Sequence, residues 1–289
     1  MTQPPCPACD GTAFSTLFEK AGHSFGRCAG CGLERIEPQP SAATLDAIYG
    51  EQYYDAWGIK LDPHMVERMK IGTFRRIIDS LDGLRPGSRV LDCGAAPGFL
   101  MVAAKEAGHD PYGVELSTFG GQQIAARFGA DHVFVGELEQ AHFPGVPEGG
   151  FDAIFMCDYI EHVRDPGAVL RRARALLAPS GRLVVTTPRV GSLTWRLMGE
   201  RWTHYKLEHL FYFSRDNLTR LLEKVGFTAV AHRPAWKTMT LAYLQQQMQV
   251  YRHPLLTRLT SAWRLLPERL TTLGFPLLMG EMLLEARRG

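Results

Sequence analysis

The stretch VLDCGAAPGF, residues 90–99, constrains the fold more than any other part of the sequence. A short apolar run ends in Asp92, a turn of small residues follows, and the helix signal FLMVAAKEAG begins at Phe99 and closes at Gly108. Such a turn lets backbone N–H groups and a helix N-terminus approach a ligand closely, and it belongs at the carboxyl edge of a parallel sheet. The pattern then repeats. PYGVELS reads as a second strand, TFGGQQIAARFG as a helix, DHVFVGE as a third strand and FDAIFMCD as a fourth. DPGAVLRRARALLAPSG is a helix and RLVVTTP a fifth strand. This alternation predicts an α/β fold with right-handed crossovers, a parallel sheet and helices on both faces. SRDNLTRLLEKVGF reads as a capped helix ending at Gly226, FTAVAHR as a sixth strand and GEMLLEARR as a seventh, with a helical insertion between them over 236–276.

The second strand supplies Glu115, where an acid can take two ribose hydroxyls. A glycine turn followed by an acid also fits dinucleotide sites. Two residues shift the balance. Asp92 stands where a pyrophosphate would come, and Pro97 removes an N–H that a phosphate would use. A cofactor carrying an amino group and a sulfonium, and no phosphate, suits the carboxylate better.

DCGAAPG resembles the first motif of class I S-adenosylmethionine-dependent methyltransferases, acid-x-Gly-x-Gly-x-Gly, with Ala96 in place of the middle glycine. The likeness continues through VELS, VGELE, FDAIFMCDYIEHVRDP, LLAPSGRLVVTTP, and from Trp202 onward to EHLFYFS and LLEKVGF. It spans roughly residues 40–235, and the last strand also matches. The resemblance implies a Rossmann-like seven-stranded sheet, mostly parallel with an antiparallel last strand, and S-adenosylmethionine as cofactor. By that resemblance Asp92 and the backbone of Gly94, Ala95, Ala96, Pro97 and Gly98 face the methionine part. Glu115 holds the ribose, Leu116 lines the adenine, Glu137 and Leu138 sit at the adenine edge, and Cys157 and Asp158 contact the methionine end.

Four of the six cysteines fall within the first 31 residues. Cys6-x2-Cys9 and Cys28-x2-Cys31 form two knuckles, a spacing suited to a closed tetrahedral zinc site. Gly11, Gly30 and Gly32 supply tight backbone. So short a segment cannot bury enough surface to fold alone, so metal would supply folding free energy. Two disulfides or free thiols are the alternatives. The expected organisation is a zinc ribbon over 1–37, a linker and cap helices over 38–84, a cofactor-binding core over 85–235, the helical insertion over 236–276 and a final core strand over 277–289. Ser41 opens one cap helix, running through Ile48, and residues 65–81 form another. The knuckles carry Lys20, His23 and Arg27 but no clustered basic stripe, and the whole chain has a net charge of only +2. That favours a lid or scaffold over a nucleic-acid-modifying enzyme. Knuckles ahead of such a core resemble bacterial sugar C-methyltransferases. Those enzymes carry a further large C-terminal domain with no counterpart here, so the acceptor stays open between a sugar, a secondary metabolite and a lipid-linked compound.

The segment Asp158-Tyr159-Ile160-Glu161-His162 follows the fourth strand, beside the expected methyl group. His162 is the candidate general base, Glu161 would orient it, and Tyr159 would donate to a developing oxyanion. A Tyr-x-Glu-His run is similar in the sugar C-methyltransferases. Two rivals stand beside this reading: Glu161 and His162 cap the next helix, or Asp158, Glu161 and His162, joined by His209, hold a divalent ion. The latter pattern resembles metal-dependent O-methyltransferases, including ubiquinone-pathway enzymes. Trp202, His204, Tyr205, Glu208 and His209 are expected to wall the acceptor site. Tyr53 and Tyr54 close over the cofactor or pack in the core. Leu241, Leu244, Met248 and Tyr251 recur at helical spacing, and Arg258, Arg264 and Arg269 interleave with Leu255, Leu256, Leu259, Trp263 and Leu266. A basic amphipathic stretch over 240–270 suits a membrane surface, a cover on the core, or a dimer contact; the oligomeric state stays open. The opening MTQPPCPACDG lacks the blocks of a secretory signal, so a soluble cytoplasmic enzyme acting on a small molecule is expected.

Overall fold

Each apolar run that ends in a small-residue turn becomes a strand in the computed structural model, which describes residues 4–48, 62–250, 263 and 266–289. Seven strands share one sheet: β4 (Arg89–Cys93), β5 (Asp110–Glu115), β6 (Val133–Val135), β7 (Phe151–Cys157), β8 (Leu177–Pro188), β10 (Phe227–Met239) and β11 (Phe275–Arg288). Their order is β10-β11-β8-β7-β4-β5-β6. The first five are parallel to one another, while β11 runs antiparallel to both β8 and β10. The order reverses at β4, which has β5 on one side and β7 on the other. Ligands of open α/β sheets bind in the crevice outside that switch point. The expected seven-stranded, Rossmann-like architecture is therefore the observed one.

Local chemistry sets the helices that cover the sheet. In α2 (Pro63–Asp79) the Asp62 side chain accepts from Met65 N at 2.8 Å, and Met65, Val66, Met69, Ile77 and Ile78 form the buried face. Ahead of it, α1 (Ala42–Ile48) has Thr44 N bonded to Ser41 Oγ. Then come α3 (Phe99–Glu106), α4 (Thr118–Phe128), α5 (Pro166–Leu176), α6 (Leu193–Met198) and α7 (Arg215–Lys224), the last opened by a reciprocal Ser214–Asn217 capping box. Each cap is worth about 1 kcal/mol. Burial of side chains such as Leu91, Ile154, Phe155, Leu183 and Leu284, all fully enclosed, contributes about 1.5–3 kcal/mol apiece. The interior of the sheet is thus held by apolar area.

The N-terminal segment is a second sheet of β1 (Phe14–Lys20), β2 (His23–Cys28) and β3 (Glu34–Glu37). Its fourth strand is β9 (Phe211–Tyr212), supplied from far along the chain, with Glu34 opposite Tyr212 and Arg35 opposite Phe211. The ribbon is thereby sewn to the core.

The insertion begins later and ends earlier than expected. Residues 236–239 and 275–276 are strand, because β10 and β11 run on as a hairpin with Trp236 opposite Leu278 and Met239 opposite Phe275. Thr238 N donates to Thr73 Oγ1 at 2.8 Å, docking the hairpin on α2. Beyond it lie α8 (Leu241–Val250) and α9 (Glu268–Thr271). Tyr53, Tyr54, Tyr251, Leu255, Leu256, Arg258, Leu259 and Arg264 lie outside the described residues. Among the described residues no helix is long and apolar enough to cross a membrane.

Candidate active site

The turn after β4 depends on left-handed backbone at three positions, Gly94 (φ +73), Ala96 (φ +51) and Gly98 (φ +86). A Cβ on Gly94 would come within 2.8 Å of Tyr159 Cδ2, so the ring after β7 lies directly over the turn. Gly94 N and Ala95 N both donate to Val114 O, at 2.9 and 3.0 Å. Glu115, at the end of β5, ties the turn down: one carboxylate oxygen accepts from Ala96 N at 2.7 Å and the other from Ser117 N at 2.8 Å. The carboxylate keeps some acceptor capacity beyond these backbone bonds. Burial raises the Glu115 carboxyl above its ordinary range, against the pull of those backbone N–H groups. Asp92 is almost fully buried, and burial, with Glu115 nearby, pushes its carboxyl well up. A cation beside it would restore the charged form. Pro97 sits partly exposed in the turn. At the rim Leu116 is 61% exposed, an apolar surface open to a flat ring. Glu137 is exposed, whereas Leu138 is fully buried in the core and offers its side chain to packing instead.

The segment after β7 brings titratable groups to the same edge. Asp158 takes a left-handed φ of +53, and its N–H donates to Thr186 O at 2.9 Å. Glu161 is 1% exposed; among the described residues neither of its carboxylate oxygens makes a well-formed hydrogen bond, and burial with Asp158 nearby pushes its carboxyl well up. One ligand atom each from Glu161, His162 and His209 lies within 4.8 Å of the others. Burial lowers His162 and His204 to about 4 and His209 well below the ordinary value, so all three imidazoles are neutral near pH 7. The His162 and His209 rings stand edge to face with centroids 4.7 Å apart, and His209 Nδ1 has no hydrogen-bond partner among the described residues. The backbone of Glu208 and of His204 orients these two rings. Capping is excluded as the role of Glu161 and His162, because Asp165 caps α5 by accepting from Ala168 N at 2.9 Å. Tyr159 and Cys157 are partly buried at the same edge, and burial raises both well above their ordinary values.

Sequence reading missed the ion-pair cluster next to Asp158. Lys237 on β10 donates to Asp158 Oδ2 at 3.0 Å and pairs with Glu281 on β11, while Lys70 on α2 lies within electrostatic reach. Its only sequence sign was a charged residue at each edge of the insertion. Such signals do not reveal that two strands and a helix bring them together.

Trp202 and Tyr205 need correction as acceptor-site walls. They are 0% and 3% exposed and pack with Phe25, Ile36 and Tyr212 where the ribbon meets the core. Tyr205 Oη donates to Glu34 at 2.6 Å and accepts from Trp195 Nε1 at 2.8 Å. Burying these rings there holds the 199–213 segment in place, and His209 on it reaches Glu161 and His162. In the ribbon, Sγ of Cys6 and Cys31 lie 3.5 Å apart, as do those of Cys9 and Cys28, and all four sulfurs fall within 4.8 Å. Although burial opposes it, the backbone N–H groups of Cys31 and Gly30 lower the Cys28 thiol to about 7.

Known proteins resemble this arrangement. A ubiquinone biosynthesis O-methyltransferase of Azorhizobium caulinodans is 30% identical over 53% of this chain and 62% of its own length. The chain thus spans less than two thirds of that relative. Among solved structures, a SAM-dependent methyltransferase from Thermotoga maritima has a TM-score of 0.55 at 20% identity, covering 84% of this chain and 100% of that one. The 1,6-didemethyltoxoflavin-N1-methyltransferase of Burkholderia thailandensis, solved with S-adenosylhomocysteine, has a TM-score of 0.52 at 17% identity over 94% of this chain and 98% of its own. Those likenesses establish the fold. A family model described as a methyltransferase domain matches residues 62–232, more than half of the sequence and the whole run from α2 into β10; on that match the chain belongs to the methyltransferase-domain family.

Proposed function

We propose that this chain transfers the methyl group of S-adenosylmethionine to an oxygen of a small molecule. The observation that carries the reading is the convergence of Glu161, His162 and His209 just beyond the end of β7. Glu115 would hold the ribose, Leu116 would cover the adenine, and Asp92 and Asp158 would face the cationic methionine end. A neutral imidazole lowered to about 4 is a weak base on its own. It is, however, the form that ligates metal, and the unpartnered Glu161 oxygens and His209 Nδ1 complete a donor set suited to a divalent ion. Such an ion, when bound, would orient the acceptor oxygen and lower its pKa, with His162 as one of its ligands and the weakly held acceptor proton passing to solvent. The relatives named as O-methyltransferases support oxygen as the acceptor.

The four ribbon sulfurs would hold Zn2+ in a closed tetrahedral site, since four thiolates leave no open position for water. Lys20, Arg27 and Arg35 are engaged inside the molecule, with Tyr205 O, Glu34 and Glu37 respectively, which argues for a structural ribbon over a nucleic-acid surface. His162→Ala should leave S-adenosylhomocysteine affinity within about twofold while slowing turnover of phenolic acceptors at least about tenfold. Wild-type turnover in that variant would remove His162 from the chemistry.

A further inference from the structure

We propose that Lys237, held by Glu281, is a positioning residue that fixes the Asp158 carboxylate at the cofactor crevice; this rests on the methyl-transfer reading above. Asp158 follows the end of β7, and Met156 of that strand is paired with Cys93, the last residue of β4. The next residue, Tyr159, lies over Gly94. Asp158 is therefore at the mouth of the glycine turn, where a cationic cofactor end would arrive. About a third of its side chain (35%) stays open.

The surroundings of Asp158 carry charges of both signs. Asp158, Glu161 and Glu281 each raise or feel the charge of the others, and Glu281 is 3% exposed. Three carboxylates at this edge would repel one another, protonate or swing apart without a cation. Lys237 supplies it from β10: its ammonium bonds Asp158 Oδ2 and pairs with Glu281, and these partners keep the lysine charged despite burial. Lys70 on α2 adds a second positive charge, and His204 faces Asp158 from the 199–210 segment. With Oδ2 taken by Lys237, Asp158 Oδ1 is buried and has no hydrogen-bond partner among the described residues. That is the arrangement of an anchored carboxylate with one free acceptor for a ligand. The position of Lys237 depends on the hairpin of β10 and β11 running past the sheet edge, so the last hairpin shapes the cofactor site through one side chain. In this proposal Lys237 acts on the ligand through Asp158.

A double-mutant cycle read by calorimetry with S-adenosylhomocysteine tests this. Lys237→Met should weaken binding by tenfold or more, Lys237→Arg should restore it to within about threefold of the wild type, and Asp158→Asn should weaken it as much as Lys237→Met. Adding Lys237→Met to Asp158→Asn should then cost less than about twofold more, because residues acting through one another are not additive. Turnover should show a raised KM for S-adenosylmethionine with kcat changed little, whereas a merely structural lysine would lower the melting temperature and the fraction of binding-competent chains at unchanged Kd. Fully additive losses, or Lys237→Met binding as tightly as wild type, overturn the proposal. A wild-type chain that takes up no S-adenosylhomocysteine overturns the reading beneath it as well.

Discussion

The ribbon and the α/β core hold functional side chains in place by different physical means. In the core, fully buried aliphatic and aromatic side chains on both sheet faces do this, and the crevice sits where the strand order reverses. The ribbon has three short strands, and its centre is four sulfurs flanked by Gly11 and Gly30, where a Cβ would come 3.2–3.3 Å from Cys9 Sγ. The two meet at β3 and β9, where Ile36 N donates to Leu210 O, and Leu210 N in turn donates to Glu161 O at 2.7 Å. A small module centred on four converging sulfurs and a large one held by apolar area thus share one stretch of backbone. Any loosening of the ribbon has a short path to Glu161 and His209.

The largest effect expected from breaking this comparison is metal removal. Structural zinc in small fingers contributes about 10–16 kcal/mol of apparent binding energy. Chelation, or Cys9→Ser with Cys28→Ser, should open residues 4–37 to protease while the core keeps a cooperative melt, and elemental analysis should find one zinc per native chain. A metal-free chain with a protease-resistant ribbon would erase the contrast. Next comes Glu115→Ala, which takes away the acceptor for Ala96 N and Ser117 N. Hydrogen bonds to charged groups are worth about 1.5–3 kcal/mol, so S-adenosylhomocysteine binding should weaken about tenfold to a hundredfold with the ribbon's zinc retained. The seam is probed by Tyr205→Phe, which leaves Trp195 Nε1 and one Glu34 oxygen short of a partner. A loss of about 1–2 kcal/mol in denaturant midpoint is expected, and no loss would mean that the seam is held by ring packing alone.

The smallest effect is that of pH. His162 and His204 are lowered to about 4 in the folded chain from an ordinary 6.5. The unfolded chain therefore takes up protons first on acidification. Their contribution is complete above pH 6.5 and is lost as pH falls through 4. Between about pH 7.5 and 6 the loss should stay below about 1 kcal/mol for each imidazole, seen as a falling melting temperature. A melting temperature that rises over that interval would contradict the burial of these rings.

Much of the core was legible because its signals are local. Strand period, small-residue turns and caps such as Ser41 and Ser214 operate within a few residues, and the acid at the end of β5 falls at a fixed remove from the glycine turn. The cysteine spacing likewise foretold four converging sulfurs. What failed was whatever depended on partners distant in sequence. Trp202 and Tyr205 looked like pocket walls because an aromatic cluster carries no mark of which surface will cover it, and here β3 does. The ends of the insertion were read as helix because pairing between 236–239 and 275–278 is invisible until the two strands meet.

The sequence by itself determined the parallel sheet, the glycine turn after β4 and the sulfur knuckles, since each follows from periodicity and spacing over short spans. Only the tertiary structure decided that β9 completes the ribbon sheet, that Asp158 stands apart from the Glu161, His162 and His209 group the sequence had joined it to, and that Lys237 and Glu281 flank Asp158. Those arrangements join groups tens to hundreds of residues apart. Burial gives their charges and lone pairs meaning, and burial is a property of the packed chain.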